Sequence, residues 1–429
     1  MFDSVVRTDP SVIMRHTEHI AVNIGERLAG SPAEARAADY IQAEMERIGL
    51  SNIRRSEFEC SWFEVRKATM QARFGGAWEP VVMDACAHTP CTDGVLEAEL
   101  VYVENATDMI LDRLDLKGKV ALVHGTYGPT SHVLKRLAEK EIAAVIWVDV
   151  RYTPDWNVRV GLPFTFLPLL TYPAASVPLP VEWDLVRRGA DRVRLELDCV
   201  VEPRLSQNVS GEIPGRSDTG GVIITGHHDA VCGIPGAEDN AAAVGIALAL
   251  AEMFVGQDLE KPMRFASFGT EEQLSQGAFT FVEDTDNRAH EIDMVLNTDA
   301  QGSWTGVNEV YLTGSQSLRE YMTAMMQRCG WSGTILEQPE GFSDHFPFIV
   351  QDVPAAWFHR RNCAGGRWYH HSHFDNIEAI SPQVLAACAD MVGTLALDIC
   401  TRPELPFERA FPESTRQAVR KVADGWLTI

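Results

Sequence analysis

The sequence predicts an α/β chain: a mostly parallel mixed sheet with helices on both faces, interrupted by an inserted β-rich domain. Three observations lead there. From about residue 205, short apolar runs alternate with stretches of helical periodicity, as repeated βα units do. Between about residues 60 and 200 that alternation gives way to β-like runs. Histidine, aspartate and glutamate gather at the ends of the later apolar runs, and no such cluster occurs between 60 and 200. A chain of 429 residues is too long for one hydrophobic core. The expected division is an N-terminal part of the catalytic domain over 1–75, the insertion over 76–204 and the rest of the catalytic domain over 205–429.

The first element is a helix in GSPAEARAADYIQAEMERIGL. Ser31 suits its N-cap, Pro32 its first position, and Glu34 completes a capping box. Ala38, Ile41, Met45 and Ile48 recur at three and four residues and form one buried face. Gly49 ends the helix in a left-handed conformation.

In the insertion, VLEAELVYV, KGKVALVHG, AAVIWVDV and VRLELDCVV read as strands, with a helical stretch near HVLKRLAEKEI. Proline and aromatic residues between 152 and 184 predict irregular loops.

The catalytic part then runs GGVIITG, NAAAVGIALALAEMF, MRFASFG, SQGAFTFVED, MVLNTDA, SLREYMTAMMQRCG, VPAAWFH and SPQVLAACADMVGTLALDIC. The charged tail after Pro403 is expected to pack loosely. Ligand sites in such sheets lie beyond the carboxyl ends of the strands.

A net charge of −23 argues against nucleic acid and anionic membranes as partners. No apolar run is expected to span a bilayer. The start, MFDSVVRTDPSVIMRH, lacks a secretory pattern, so a cytoplasmic location is expected, with a trimmed leader as the alternative. Nine scattered cysteines without a CxxC pair read as reduced thiols.

Candidate ligands and bases follow the apolar runs in an order suited to a metal-dependent hydrolase, with His227, Glu271, Glu272 and Asp299 at strand ends and Asp239 opening a helix. His227 and Asp229 lie in GHHDAV, Asp239 in PGAEDNAAAVG, Glu271 and Glu272 in GTEEQ, and Asp299 in LNTDAQG; His371 follows in YHHSHFDN. Imidazole and carboxylate ligands suit zinc, with manganese or cobalt as alternatives. Asp229, two residues after His227, is placed to accept the second imidazole N–H. Asp239 is placed to bridge two cations, since a shared anion offsets their repulsion. Adjacent glutamates in a turn divide their roles: one binds metal, the other takes a proton from water.

Serine chemistry is not supported. Ser343, Asp344 and His345 are contiguous and so do not form a linear triad, and no GxSxG elbow occurs. GTYGPTSH lacks the lysine of a phosphate-binding loop.

These motifs, in this order, resemble the co-catalytic zinc peptidase family of bacterial leucyl aminopeptidases, glutamate carboxypeptidase and glutaminyl cyclase. ERLAGSPAEARAADYIQAEMERIGL is similar to that family's N-terminal helix, and residues 85–200 look like its protease-associated insertion. The resemblance implies one or two divalent ions, zinc first. It places His227, Asp239 and Asp299 on one and Asp239, Glu272 and His371 on the other, with Glu271 as general base. His371, Ser372 and Asp375 fit the last motif, whereas His370 and His373 suit supporting or pocket-lining positions.

Two departures stand out. Ala242-Ala243 replaces a small Ser-Gly pair. Arg360, Arg361 and Arg367 precede His371, where an aminopeptidase tends to carry an acid near the substrate amine. Arginine there points to a substrate carboxylate, or else to pairing with surface acids. His345 and Trp368 are further substrate-binding candidates, and Trp304, Phe342 and Tyr369 lie near the motifs. The expected activity is hydrolysis of C–N bonds by an aminopeptidase-like peptidase. The alternatives are an amidase or aminohydrolase acting on a carboxylate-bearing, aromatic small molecule, an acyl-transferring cyclase, and a non-catalytic binding module. A peptide or small molecule is the expected partner, and a homo-oligomer is compatible with the sequence.

Overall fold

The computed structural model describes residues 5–125, 131–150, 164–363 and 368–427. They divide into two units: one holds the residues up to Cys60 and from Arg204 to Asp424, the other Ser61 to Pro203 and the residues from Gly425 on. The first division falls at Cys60, inside the continuous strand Ser51–Phe74, earlier than residue 75. Composition marks where a texture changes, but a strand that continues through the change hides the division.

In the first unit the strands are β1 (Ser51–Phe74, its first part), β2 (Arg192–Ile213, its last part), β3 (Val222–His227), β4 (Met263–Phe268), β5 (Met294–Thr298), β6 (Val307–Thr313), β7 (Gly333–Leu336) and β8 (Ala355–Arg361). The sheet order is β7-β6-β8-β5-β3-β4-β2. β3 pairs parallel with both β4 and β5, β5 with β8, and β6 with β7. Only β6–β8 and β4–β2 are antiparallel in that order. The sheet is therefore mixed and mostly parallel, as expected. Every residue of β3 and of β5 is buried. A strand buried on both of its faces is covered on both sides, the usual state of a parallel sheet. β6 and β7 do not emerge from the sequence reading, because VNEVYLT and GTIL lie between stronger patterns.

Helix Pro32–Ile48 forms as its sequence dictates. Ser31 Oγ accepts the Glu34 N–H at 3.1 Å, and Gly49 has φ of +91°. The capping box differs in one respect: Glu34 reaches back to the Gly30 N–H, 2.7 Å away, rather than to that of Ser31. Ala38, Ile41, Met45 and Ile48 join the main core with residues of the helices Pro10–Glu18, Ala242–Phe254, Gln316–Cys329 and Pro382–Cys400.

Helix Pro382–Cys400 corrects the membrane expectation: its length and composition suffice to cross a bilayer, but it is mostly buried as a core helix. The tail corrects another. Phe407, Phe411 and Val419 are buried and Glu413–Leu427 is helical, so apolar residues spaced among the charges anchor it.

The second unit is less purely β than its composition suggests. Three successive pairings among the strands Leu96–Tyr102, Val120–His124, Ala144–Asp149 and Ala174–Pro178 are parallel, and helices Ser131–Glu139 and Leu179–Arg187 lie between or beside them in sequence. Two clusters of buried side chains, one around Trp147 and one around Ile146, form its core.

Candidate metal centre

The parallel register brings the ends of β3, β4 and β5 to one level: His227 pairs with Phe268, and Thr225 with Asn297. The chain beyond each end carries a functional side chain. His227 is the last residue of β3. Glu271 and Glu272 occupy a short 3₁₀ turn after β4, entered through Thr270 at φ +61°. Asp299 follows β5 directly. Asp239 and Asn240 have non-helical backbone angles just before helix Ala242–Phe254, and the peptide bond between them is cis. The helix approaches β3 closely, since a Cβ on Gly226 would lie 2.5 Å from that of Ala243. The small Ala242-Ala243 pair thus suits its place.

These segments converge. His227 Nε2 lies 3.1 Å from Asp239 Oδ1 and 3.7 Å from both Glu271 Oε2 and Asp299 Oδ1. The other Asp239 oxygen, Oδ2, lies 3.4 Å from His371 Nε2, which is 3.0 Å from Glu272 Oε2. Asp239 therefore presents one oxygen to each half of the site. Among the described residues, the sets His227–Asp239–Glu272, His227–Glu271–Asp299 and Asp239–His370–His371 each hold ligand atoms within 4.8 Å of one another. His370 comes closer than a supporting position requires: its Nδ1 is 3.3 Å from Asp239 Oδ2 and its ring stacks on His371 at 3.5 Å.

The surroundings fix this geometry. Both oxygens of Asp229 accept backbone N–H groups, from Glu271 at 3.0 Å and Glu272 at 3.2 Å, and so hold the glutamate turn. His227 Nδ1 lies 3.2 Å from the Asp229 carbonyl oxygen and 3.3 Å from its carboxylate. Asp375 accepts the N–H groups of Glu238 and Asp239 at 2.7 and 3.1 Å and sets the bridging segment. Arg27, fully buried, donates to the carbonyls of Ile20, Gly25, His228, Pro235 and Gly236. Sequence reasoning missed Arg27, because its partners are carbonyl oxygens that any residue supplies.

The electrostatics ask for a cation. Burial raises the Glu271 carboxyl well above its usual range; His227 opposes this, and Asp299, Asp344 and Glu272 add to it. Burial likewise raises Glu272. Burial disfavours the His371 imidazolium, but Glu272 and Asp239 more than offset that and bring its pKa to about 9. Buried carboxylates crowded in this way are costly without positive charge. The buried His227 Nε2, aimed among three carboxylates, makes no hydrogen bond, and neither does Glu272 Oε1. Nitrogen and oxygen donors of this kind fit one or two divalent ions.

The substrate-binding candidates do not gather as one set. Arg360 donates to the Ser303 carbonyl at 2.8 Å and to Asn308 Oδ1 at 2.7 Å. Arg361 donates to Glu309 Oε1 at 2.7 Å. Arg367 lies outside the described residues. His345 is buried against Trp357, with ring centroids 5.4 Å apart, and burial lowers its pKa to about 3. Trp368 is partly exposed and packs on Tyr369 and Phe374, immediately before the His370–His371 pair.

Fold and site together define a metal-dependent hydrolase. Residues 208–396, which carry His227, Asp239, Glu271, Glu272, Asp299 and His371, match the model of Peptidase family M28, and the resemblance read from the motifs is borne out. Aminopeptidase YwaD of Bacillus subtilis (strain 168) is 23% identical over 405 residues, covering 89% of this chain and 83% of that one. Among solved structures, an aminopeptidase from Aneurinibacillus sp. strain AM-1 shares the fold with a TM-score of 0.76 at 24% identity, over 94% of this chain and 96% of that one. A zinc aminopeptidase from Bacillus subtilis does so with a TM-score of 0.75 at 21% identity, over 95% and 98%.

Proposed function

We propose that this chain is a zinc-dependent aminopeptidase that removes residues from the free amino end of peptides. The observation that carries the metal chemistry is the placement of Asp239, whose two oxygens face two different imidazoles. His227, Asp239 and Asp299 would hold one ion, and Asp239, Glu272 and His371 the other. Bound there, zinc lowers the pKa of a water molecule and polarises a carbonyl.

The chain's own residues do the rest. Glu271 keeps Oε1 on the Ser343 N–H, at 3.0 Å, and turns Oε2 toward the ligands. Oε2 is placed to take a proton from the attacking water and return it to the departing amine. The anchored Oε1 and inward-facing Oε2 of Glu271 suit it to both transfers. Asp229 holds the glutamate turn, so that Glu271 and Glu272 point to separate tasks.

The peptidase assignment draws on the relatives, which are aminopeptidases by name. A carboxylate-selective amidase gains no support from Arg360 and Arg361, whose hydrogen bonds from Nε and Nη1 of Arg360 and from Nε of Arg361 go to neighbouring groups of the chain. The unit from Ser61 to Pro203 reads as a protease-associated-like domain. Nine free thiols suit a reducing compartment such as the cytoplasm.

The test is a panel of aminoacyl anilides, dipeptides, N-acyl amino acids and aminobenzoates, assayed before and after chelation and with zinc restored. Cleavage of free-amine substrates that chelation abolishes and zinc restores is the expected result. Turnover confined to N-acyl amino acids or aminobenzoates refutes the aminopeptidase reading.

A further inference from the structure

Beyond the amide that holds Glu271, Ser343 has no role so far, since a catalytic triad is not supported. It is buried in the turn before helix Phe346–Val350, at φ +72°. Its backbone N–H donates to Glu271 Oε1 at 3.0 Å, and its hydroxyl donates to Asp299 Oδ2. The same hydroxyl oxygen accepts from Asn297 Nδ2 at 2.7 Å, and Asn297 Oδ1 accepts from the Thr225 hydroxyl at 2.8 Å. Thr225 and Asn297 lie in β3 and β5, the strands that deliver His227 and Asp299.

The bonding is directional. A hydroxyl has one proton to give, and Asn297 occupies its acceptor side, so the proton goes to Asp299. Asp299 Oδ2 is thereby engaged, and Oδ1 is left facing His227 Nε2 at 3.7 Å. Glu271 is treated in the same way. Its Oε1 accepts from Ser343 N–H and from Ser275 Oγ at 3.3 Å, while Oε2 faces the same His227 nitrogen at 3.7 Å. One residue thus selects which oxygen of the base and which oxygen of a ligand turn inward.

The geometry points to Ser343 as a positioning residue that orients the metal ligand Asp299 through its hydroxyl and the general base Glu271 through its amide. This rests on the roles given to those two residues above. The hydroxyl presents Asp299 Oδ1 to the cation shared with His227. The amide holds Glu271 still while the proton moves.

Zinc affinity tests this without relying on turnover. Ser343→Gly removes the hydroxyl, keeps the amide and suits the positive φ. The zinc dissociation constant, from competition with a chromophoric chelator, should rise roughly 10- to 100-fold, the usual effect of removing a group that orients a ligand. The value of kcat at saturating zinc should fall less than about fivefold, because Glu271 keeps its amide anchor. Ser343→Gly added to Asp299→Asn should cost little more than Asp299→Asn alone, whereas added to Glu271→Gln it should cost its full amount. Ser343→Ala serves as the second variant if the glycine variant does not fold. Unchanged zinc affinity, or full additivity with Asp299→Asn, overturns the inference while the site reading stands. Should Asp299→Asn itself leave zinc affinity unchanged, the ligand assignment falls, and this inference with it.

Discussion

His227 Nε2 and Asp239 Oδ1 lie 3.1 Å apart, although one ends a strand and the other precedes a helix. The second Asp239 oxygen is turned to His371. A carboxylate shared in this way should be indispensable to both ions. Asp239→Asn is expected to abolish binding of two zinc equivalents, and Glu272→Gln or Asp299→Asn to weaken one. Metal content by inductively coupled plasma mass spectrometry, after gel filtration, checks this. An Asp239→Asn protein that keeps a full complement rules out the bridge.

The adjacent glutamates should separate cleanly. Glu271→Gln is expected to retain zinc and to lose turnover by roughly two to four orders of magnitude, the scale of general-base catalysis. Glu272→Gln should lose zinc first and recover activity when zinc is in excess. Steady-state rates measured beside zinc titrations distinguish the two, and equal zinc loss in both variants refutes the division.

Arg361 is held by Glu309 on the neighbouring strand and is not directed by that bond to the ligands. Arg361→Met should leave the ratio of kcat/KM for acid and amide forms of one substrate within about twofold. Because Arg361 is partly exposed and Glu309 buried, some loss of thermal stability is expected from the carboxylate left behind. A selective loss on acids restores carboxylate recognition by this arginine.

Glu34 makes stability depend on pH. Burial raises its pKa from 4.5 to about 8, and Asp229 adds to the rise, while the bonds from Ser206 and Gly30 oppose it. The folded state therefore holds a proton that the unfolded chain gives up above about pH 4.5. Its contribution is fully present below that pH and is lost as pH rises toward and through about 8. Glu34→Gln mimics the protonated form. Melting temperatures of the variant and the parent should be close near pH 5, and the variant should melt higher at pH 8. A constant difference across that range excludes Glu34 as the cause.

The sequence by itself determined the class of fold and singled out the residues that the structure brings together as candidate ligands. Strand and helix periods are local properties, and strands buried on both faces read as apolar runs wherever they lie. A strand end is legible where such a run stops, so His227, Glu271, Glu272 and Asp299 stood out at those stops. The tertiary structure alone decided how they act together. Which oxygen of Asp239 meets which imidazole depends on a turn anchored by Asp375, 136 residues away along the chain. Arg27 works on backbone carbonyl groups, and Ser343 on Glu271 through its amide and on Asp299 through its hydroxyl, pairings that no local pattern reveals. Arg360 and Arg361 show the reverse: their charge was plain in the sequence, but their partners Asn308 and Glu309 became visible only once β6 lay beside β8.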